Sequence, residues 1–232
     1  SSAASDVYKR QGCGSSTNSA SFTWFVDSIP ANLDPQVASG ASDVIACENL
    51  YGTLVRKDPD GELVPGLCEK WTVSSDGLIY TFTLKDGLTY AAAKGAATEY
   101  DITAEDFVFA FRRIFRADTA SPYAVEFSAI QNSAAVQAGL ADESSLGVSA
   151  NGALTLVFRL SERDDNFLAK LALPGAAPCD EAFFESTRGT YGLTAKTTLA
   201  SGSFYLYNWT TNGLFLRRTV ESPLVGSLRP VS

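Results

Sequence analysis

Few side chains in this sequence could do chemistry. Adjacent acids occur at Asp164-Asp165 and Asp180-Glu181, cysteines stand at positions 13, 47, 68 and 179, and histidine is absent from all 232 residues. Paired carboxylates are the equipment of a glycosidase, one acting as acid and the other as base or nucleophile. Each pair here opens a short amphipathic segment, Asp165 to Leu171 and Asp180 to Glu185. Acids at helix starts complement the macrodipole on a solvated face, which is the plainer reading of both pairs. Without His, the Ser-His-Asp and Cys-His arrangements and every His-based zinc site are excluded. Cys47, Cys68 and Cys179 stand singly with no CxxC, which argues against a thiolate metal cage. They read as small buried hydrophobes, with one disulfide left open and its pairing undetermined. No catalytic residue, metal site or cofactor is expected.

Cys13 is a separate case. It follows Gly12 and precedes Gly14-Ser15-Ser16-Thr17-Asn18-Ser19. A Gly-Cys pair before a flexible polar stretch resembles the cleavage site of a bacterial lipoprotein signal peptide. That resemblance implies lipidation at Cys13 and a tether to the membrane over residues 12–20. The first eleven residues, SSAASDVYKRQ, are similar to the in-frame translation of a transposase sequencing adapter, so 1–11 is set apart as a scar. At the other end the strand periodicity fades from Val220, and 220–232 reads as a truncated or non-native tail. The chain holds no Met. It is expected to be a fragment.

Hydrophobic residues make up 45% of the chain and charged residues 19%, a globular rather than disordered composition. The net charge is −8, and −9 once Lys9, Arg10 and Asp6 of the scar are set aside. An acidic chain with no basic cluster is not built to meet nucleic-acid phosphates. No apolar run approaches the ~20 residues of a membrane span, so membrane attachment would run through Cys13.

The elements that must position any site can be read from local pattern. Phe22 to Val26 is a first strand, followed by a Pro-punctuated loop over Ile29 to Pro35. Ser42 is expected to cap a helix whose apolar face includes Ile45, Leu50, Tyr51 and Leu54. Trp71 to Val73 and Leu78 to Leu84 flank an Asp76-Gly77 turn, with Leu78, Tyr80, Phe82 and Leu84 alternating onto one face. Thr103-Ala104-Glu105-Asp106 resembles a capping box and opens a helix with Phe107, Phe111 and Ile114 in register. Asn151-Gly152 and Asn212-Gly213 turn two further hairpins, and Gly77 and Gly213 are expected at positive φ. Hairpins alternate with helices but not in βαβ order, which predicts an α/β (mixed α+β) class with a mixed sheet and flanking helices.

One ordered series of motifs goes further. Leu33-Asp34-Pro35, Leu50-Tyr51-Gly52-Thr53-Leu54-Val55, Val64-Pro65-Gly66-Leu67, Glu69-x-Trp71, Ser75-Asp76-Gly77 and Tyr80-Thr81-Phe82-x-Leu84 follow one another. Thr103 to Phe107, Thr119-Ala120-Ser121-Pro122-Tyr123-Ala124 and Gly202 to Leu206 continue it. The series resembles the family 5 extracellular solute-binding proteins, the receptors of peptide and nickel ABC importers, and its Ser-Pro-Tyr motif points towards the oligopeptide-binding members. Cys68, where Ala is usual, the Ala-rich segment Tyr90 to Asp101, and Ser203, where Pro is common, depart from the pattern.

The resemblance implies a periplasmic-binding-protein type II-like lobe with the family's small extra domain over residues 21–219, its second lobe absent. It implies an extracytoplasmic, monomeric, lipid-anchored receptor that captures short peptides and delivers them to a permease and ATPase complex. Ligand-binding positions carried over by the resemblance are Ser39, Gly40 and Ala41, which match backbone that pairs with a peptide, and Tyr123, which matches a ligand-contacting Tyr. Nickel, haem or sugar ligands stay open within the family. A carboxylate-dependent hydrolase or a structural surface lipoprotein is the alternative outside it.

Overall fold

The computed structural model describes residue 26 and residues 28–95 and 100–219. The segments expected as a scar (1–11), a tether at Cys13 (12–20), a first strand apart from Val26, and a non-native tail (220–232) lie outside the described residues.

The interior is built from alternation. In β4 (Ile79–Leu84) Tyr80, Phe82 and Leu84 are buried while Ile79, Thr81 and Thr83 are half-buried. β4 lies between β3 (Cys68–Val73) and β6 (Thr155–Arg159), and β6 carries β5 (Val148–Ala150) on its far side. The register sets Tyr80 opposite Phe158 and Phe82 opposite Leu156, so large side chains gather on one face. Burying each such side chain contributes about 1.5–3 kcal/mol.

Helix α2 (Ala104–Phe115) closes that face. Its first turn is fixed by the expected capping box, in which the Thr103 N–H donates to Asp106 Oδ2 at 2.8 Å. Phe107, Phe111 and Ile114 are buried, and Phe111 meets Phe158 and Phe127 edge-on, with ring centroids 4.9 Å apart in both pairs. The turns at Gly77 (φ 74°) and Gly152 (φ 72°) fall in the left-handed region, as their sequences require.

Around this core lie β1 (Val55–Lys57) paired with β2 (Leu63–Pro65), α3 (Ser133–Gln137), α4 (Phe167–Lys170) and α5 (Glu181–Ser186). A final hairpin, β7 (Phe204–Thr210) with β8 (Gly213–Arg218), packs against the segment containing α1 (Ala41–Leu50). Every described strand pair is antiparallel. The described strands thus form three antiparallel sheets rather than the expected mixed one: β1–β2, β3–β4, β5–β6 and β7–β8 pair with their neighbours in the chain, and only β4–β6 is made over a long connection, through α2 and α3. The mixed α/β class itself stands.

Three local expectations need correction. Helix α1 ends at Leu50, before Tyr51 and Leu54. The Leu50 carbonyl accepts the N–H groups of Ser201 and Gly202, and Leu54 O accepts those of Gly66 and Cys68, so tertiary pairing replaces a further helical turn. The N-cap is Gly40, not Ser42, which is buried in the first turn. Gly213 is not at positive φ, because the two-residue turn is Thr211-Asn212 and Gly213 already pairs with Thr210 as the first residue of β8.

The acid pairs serve local structure. Asp180 Oδ1 accepts the Phe183 N–H as the cap of α5, Asp164 binds Lys170 at 2.8 Å, and Asp165 binds Arg163 on the surface. Cys47, Cys68 and Cys179 are buried free thiols. Among the described residues no cluster of ligating side chains could hold a metal, and no helix is long and apolar enough to cross a membrane.

Candidate functional site

The segment Ser39-Gly40-Ala41 leads into α1: Gly40 is its extended N-cap, at φ −68° and ψ 142°, and Ala41 is already the first helical residue. All three residues are exposed, although Ala38 before them and Ser42 after them are buried. The Gly40 carbonyl accepts the Val44 N–H. Among the described residues, no hydrogen bond uses the N–H or C=O of Ser39, or the N–H of Gly40 or Ala41. A short edge of unpaired backbone, made of Ser39, the Gly40 N–H and the first N–H of α1, is therefore exposed and fixed at both ends.

Two anchors hold this edge. On the helix side, Asp43 Oδ1 accepts the Ala31 N–H at 2.7 Å and the Asn32 N–H at 3.4 Å, tying the Pro-rich loop to the first turn of α1. On the other side, the Tyr123 hydroxyl donates to the Ala38 carbonyl at 3.3 Å. The structure thus brings Tyr123 beside the 39–41 segment, from 85 residues further along the chain. Tyr123 is buried, and burial pushes its phenol up to about 12, so it stays a neutral donor.

The Ser-Pro-Tyr motif now has a physical explanation. Ser121 Oγ donates to the Gln36 carbonyl at 2.5 Å and accepts the Tyr123 N–H at 3.2 Å, so one hydroxyl locks two loops together. Ala120 is held at φ 49°, a left-handed conformation that costs a non-glycine residue energy and persists only under such constraint.

Beneath the edge lies a buried polar network that the sequence reading did not find. Arg113 of α2, 3% exposed, donates from Nη1 and Nη2 to the two carboxylate oxygens of Asp34 and from Nη1 to Gln36 Oε1 at 2.7 Å. Gln36 Nε2 donates to the carbonyls of Gly175 (3.2 Å) and Ala177 (3.0 Å). Burial disfavours the guanidinium charge, but Cys179 and Asp34 more than offset this and keep its pKa above the ordinary value. The signal was available: Arg113 lies four residues after buried Phe109, on an apolar stripe where a lone Arg demands a partner. Cys13 lies outside the described residues.

Comparison with known proteins agrees with this architecture. Residues 62–218 match the family described as bacterial extracellular solute-binding proteins, family 5 Middle. The chain is 36% identical over 135 residues to the periplasmic murein peptide-binding protein MppA of Escherichia coli, covering 57% of this chain and 24% of that one. It is 32% identical over 187 residues to the probable deoxycholate-binding periplasmic protein YgiS of the same organism, covering 80% and 34%. The substrate-binding domain of an oligopeptide ABC transporter from Bacillus anthracis superposes with a TM-score of 0.77 at 30% identity, covering 83% of this chain and 36% of that one. The chain therefore spans about a third or less of the length of these relatives.

Proposed function

The chain belongs to the family 5 bacterial extracellular solute-binding proteins, and from that premise we propose that it captures short peptides as part of an ABC-importer receptor. One observation carries this reading: the exposed, unpaired backbone at Ser39-Gly40-Ala41 beside Tyr123. An extended peptide can add to such an edge as a strand, its main chain supplying the hydrogen bonds and its side chains left largely unread. Tyr123 supports the edge by donating to Ala38, the residue that precedes it. The names of MppA, a murein peptide-binding protein, and of the Bacillus anthracis oligopeptide ABC transporter favour this ligand class.

In the same proposal, residues 21–219 form the first lobe with the small extra domain, and Cys13 carries the lipid anchor. The receptor hands its cargo to a membrane permease and ATPase.

Calorimetric titration of the complete gene product with mixed tri- to pentapeptides tests the reading. The expected result is a micromolar Kd, about −8 kcal/mol, with little preference among side chains. Residues 12–219 alone should bind at about millimolar strength, because half of the ligand would stay solvated. Absence of peptide binding together with binding of deoxycholate would overturn the peptide reading in favour of a bile-acid ligand.

A further inference from the structure

We propose that Arg113 is a positioning residue for ligand recognition, holding the Ser39–Ala41 backbone in place through Asp34 and Gln36. Its consequence for binding rests on the peptide reading above, whereas its geometry does not.

Arg113 sits on the rigid, capped helix α2, away from the exposed edge. Its guanidinium is surrounded on three sides: Asp34 and Gln36 in one direction, Cys179 Sγ at 3.5 Å, and the rings of Phe184 and Tyr191 at 4.0 and 5.4 Å from Cζ. From this fork the bonds run outwards without a gap. Asp34 Oδ1 accepts the Gln36 N–H, and the Asp34 carbonyl accepts those of Val37 and Ala38. Gln36 is tied by its side chain to the 175–177 segment and by its carbonyl to Ser121. The Ala38 carbonyl is held by Tyr123, and Ser39 follows.

A buried ion pair contributes little net stability compared with well-packed hydrophobic residues, since desolvation offsets most of the attraction. What a planar, bidentate guanidinium supplies that such residues cannot is direction. Here that direction passes from α2 to a loop 79 residues earlier in the chain. An added strand needs its template placed to within a fraction of an ångström, because hydrogen bonds weaken steeply with misalignment.

Arg113→Lys in the complete gene product tests this, because it keeps the charge and loses the fork. Native-state hydrogen exchange should speed up about tenfold or more at the amides of Gln36, Val37, Ala38 and Val44, with β4 amides unchanged. The Kd for mixed tri- to pentapeptides should weaken by about tenfold or more. Equal acceleration in the loop and in β4, or none in the loop, would overturn the proposal. If Arg113→Lys does not fold, Gln36→Met leaves the Arg113–Asp34 pair intact, cuts the link to the 175–177 segment, and is read by the same comparison. If the unsubstituted protein binds no peptide, the peptide reading falls, and the exchange pattern alone decides whether Arg113 positions the edge.

Discussion

The ring of Tyr123 occupies the space in which a side chain on Gly175 would stand. A Cβ built at Gly175 lies 2.4 Å from Tyr123 Cγ and 2.5 Å from Cδ2, inside any real contact distance. Gly175 is therefore what leaves room for the Tyr123 ring, whose hydroxyl reaches the Ala38 carbonyl. The same residue's carbonyl accepts from Gln36, so the segment must stay close. Gly175→Ala is expected to destabilise the protein by about 1–3 kcal/mol through overpacking. In a double-mutant cycle read by urea unfolding, Tyr123→Ala should relieve most of that penalty. Additive effects would show that the ring and the glycine are not in conflict.

Gly77 and Gly213 should separate in their response to a side chain. Gly77 is at φ 74°, where a β-branched residue is strained, whereas Gly213 is a strand residue with Phe215 at ordinary contact distance, 3.5 Å. Gly77→Val should lower stability by about 1–3 kcal/mol, and Gly213→Val by clearly less. Equal urea midpoints for the two variants would refute this assignment.

The hairpin at Gly77 and the cap of α2 were legible because their causes are local. Asp-Gly between alternating strands, and Thr with an acid three residues later, carry their own geometry within a few residues. The early end of α1 was not legible, since Ser201 and Gly202 take the Leu50 carbonyl from about 150 residues away in the chain. The Gly213 error is a one-residue shift of a turn, the smallest slip that changes a glycine's role. The positions of Ser39, Gly40, Ala41 and Tyr123 entered through resemblance. The helix pattern marks Arg113 as needing a partner, but that the partners are Asp34 and Gln36 is a long-range pairing that no local pattern encodes.

The three buried thiols should be chemically silent. Burial pushes Cys68 up to about 11 and Cys179 up to about 12, and raises Cys47 further still. The thiolate is the reactive form, so a thiol-specific reagent at pH 8 should find none of the three in the folded protein. In a Cys13→Ser variant, all three should react once urea unfolds the chain. Rapid labelling of the native variant would show that the interior around α1 or Cys179 opens readily.

Asp106 should make stability depend on pH in a direction unusual for a carboxylate. Burial in the first turn of α2 raises it to about 7, while the Thr103 N–H pulls the other way. Asp180 and Glu105 add to the rise, and Tyr90 faces the carboxyl and lowers it. The folded pKa thus lies above the unfolded value near 4, and between the two the folded state binds more protons. The stabilising contribution is complete below about pH 4, fades as pH rises, and is gone above about pH 7. The full effect is on the order of 4 kcal/mol at most, by 1.36 kcal/mol per unit. Asp106→Asn keeps an acceptor for the Thr103 N–H and removes the titration. Urea unfolding of both proteins from pH 4 to 8 should show the asparagine variant gaining on the parent as pH rises. A stability difference that stays flat across this range would mean that Asp106 titrates no differently in the folded and unfolded chains.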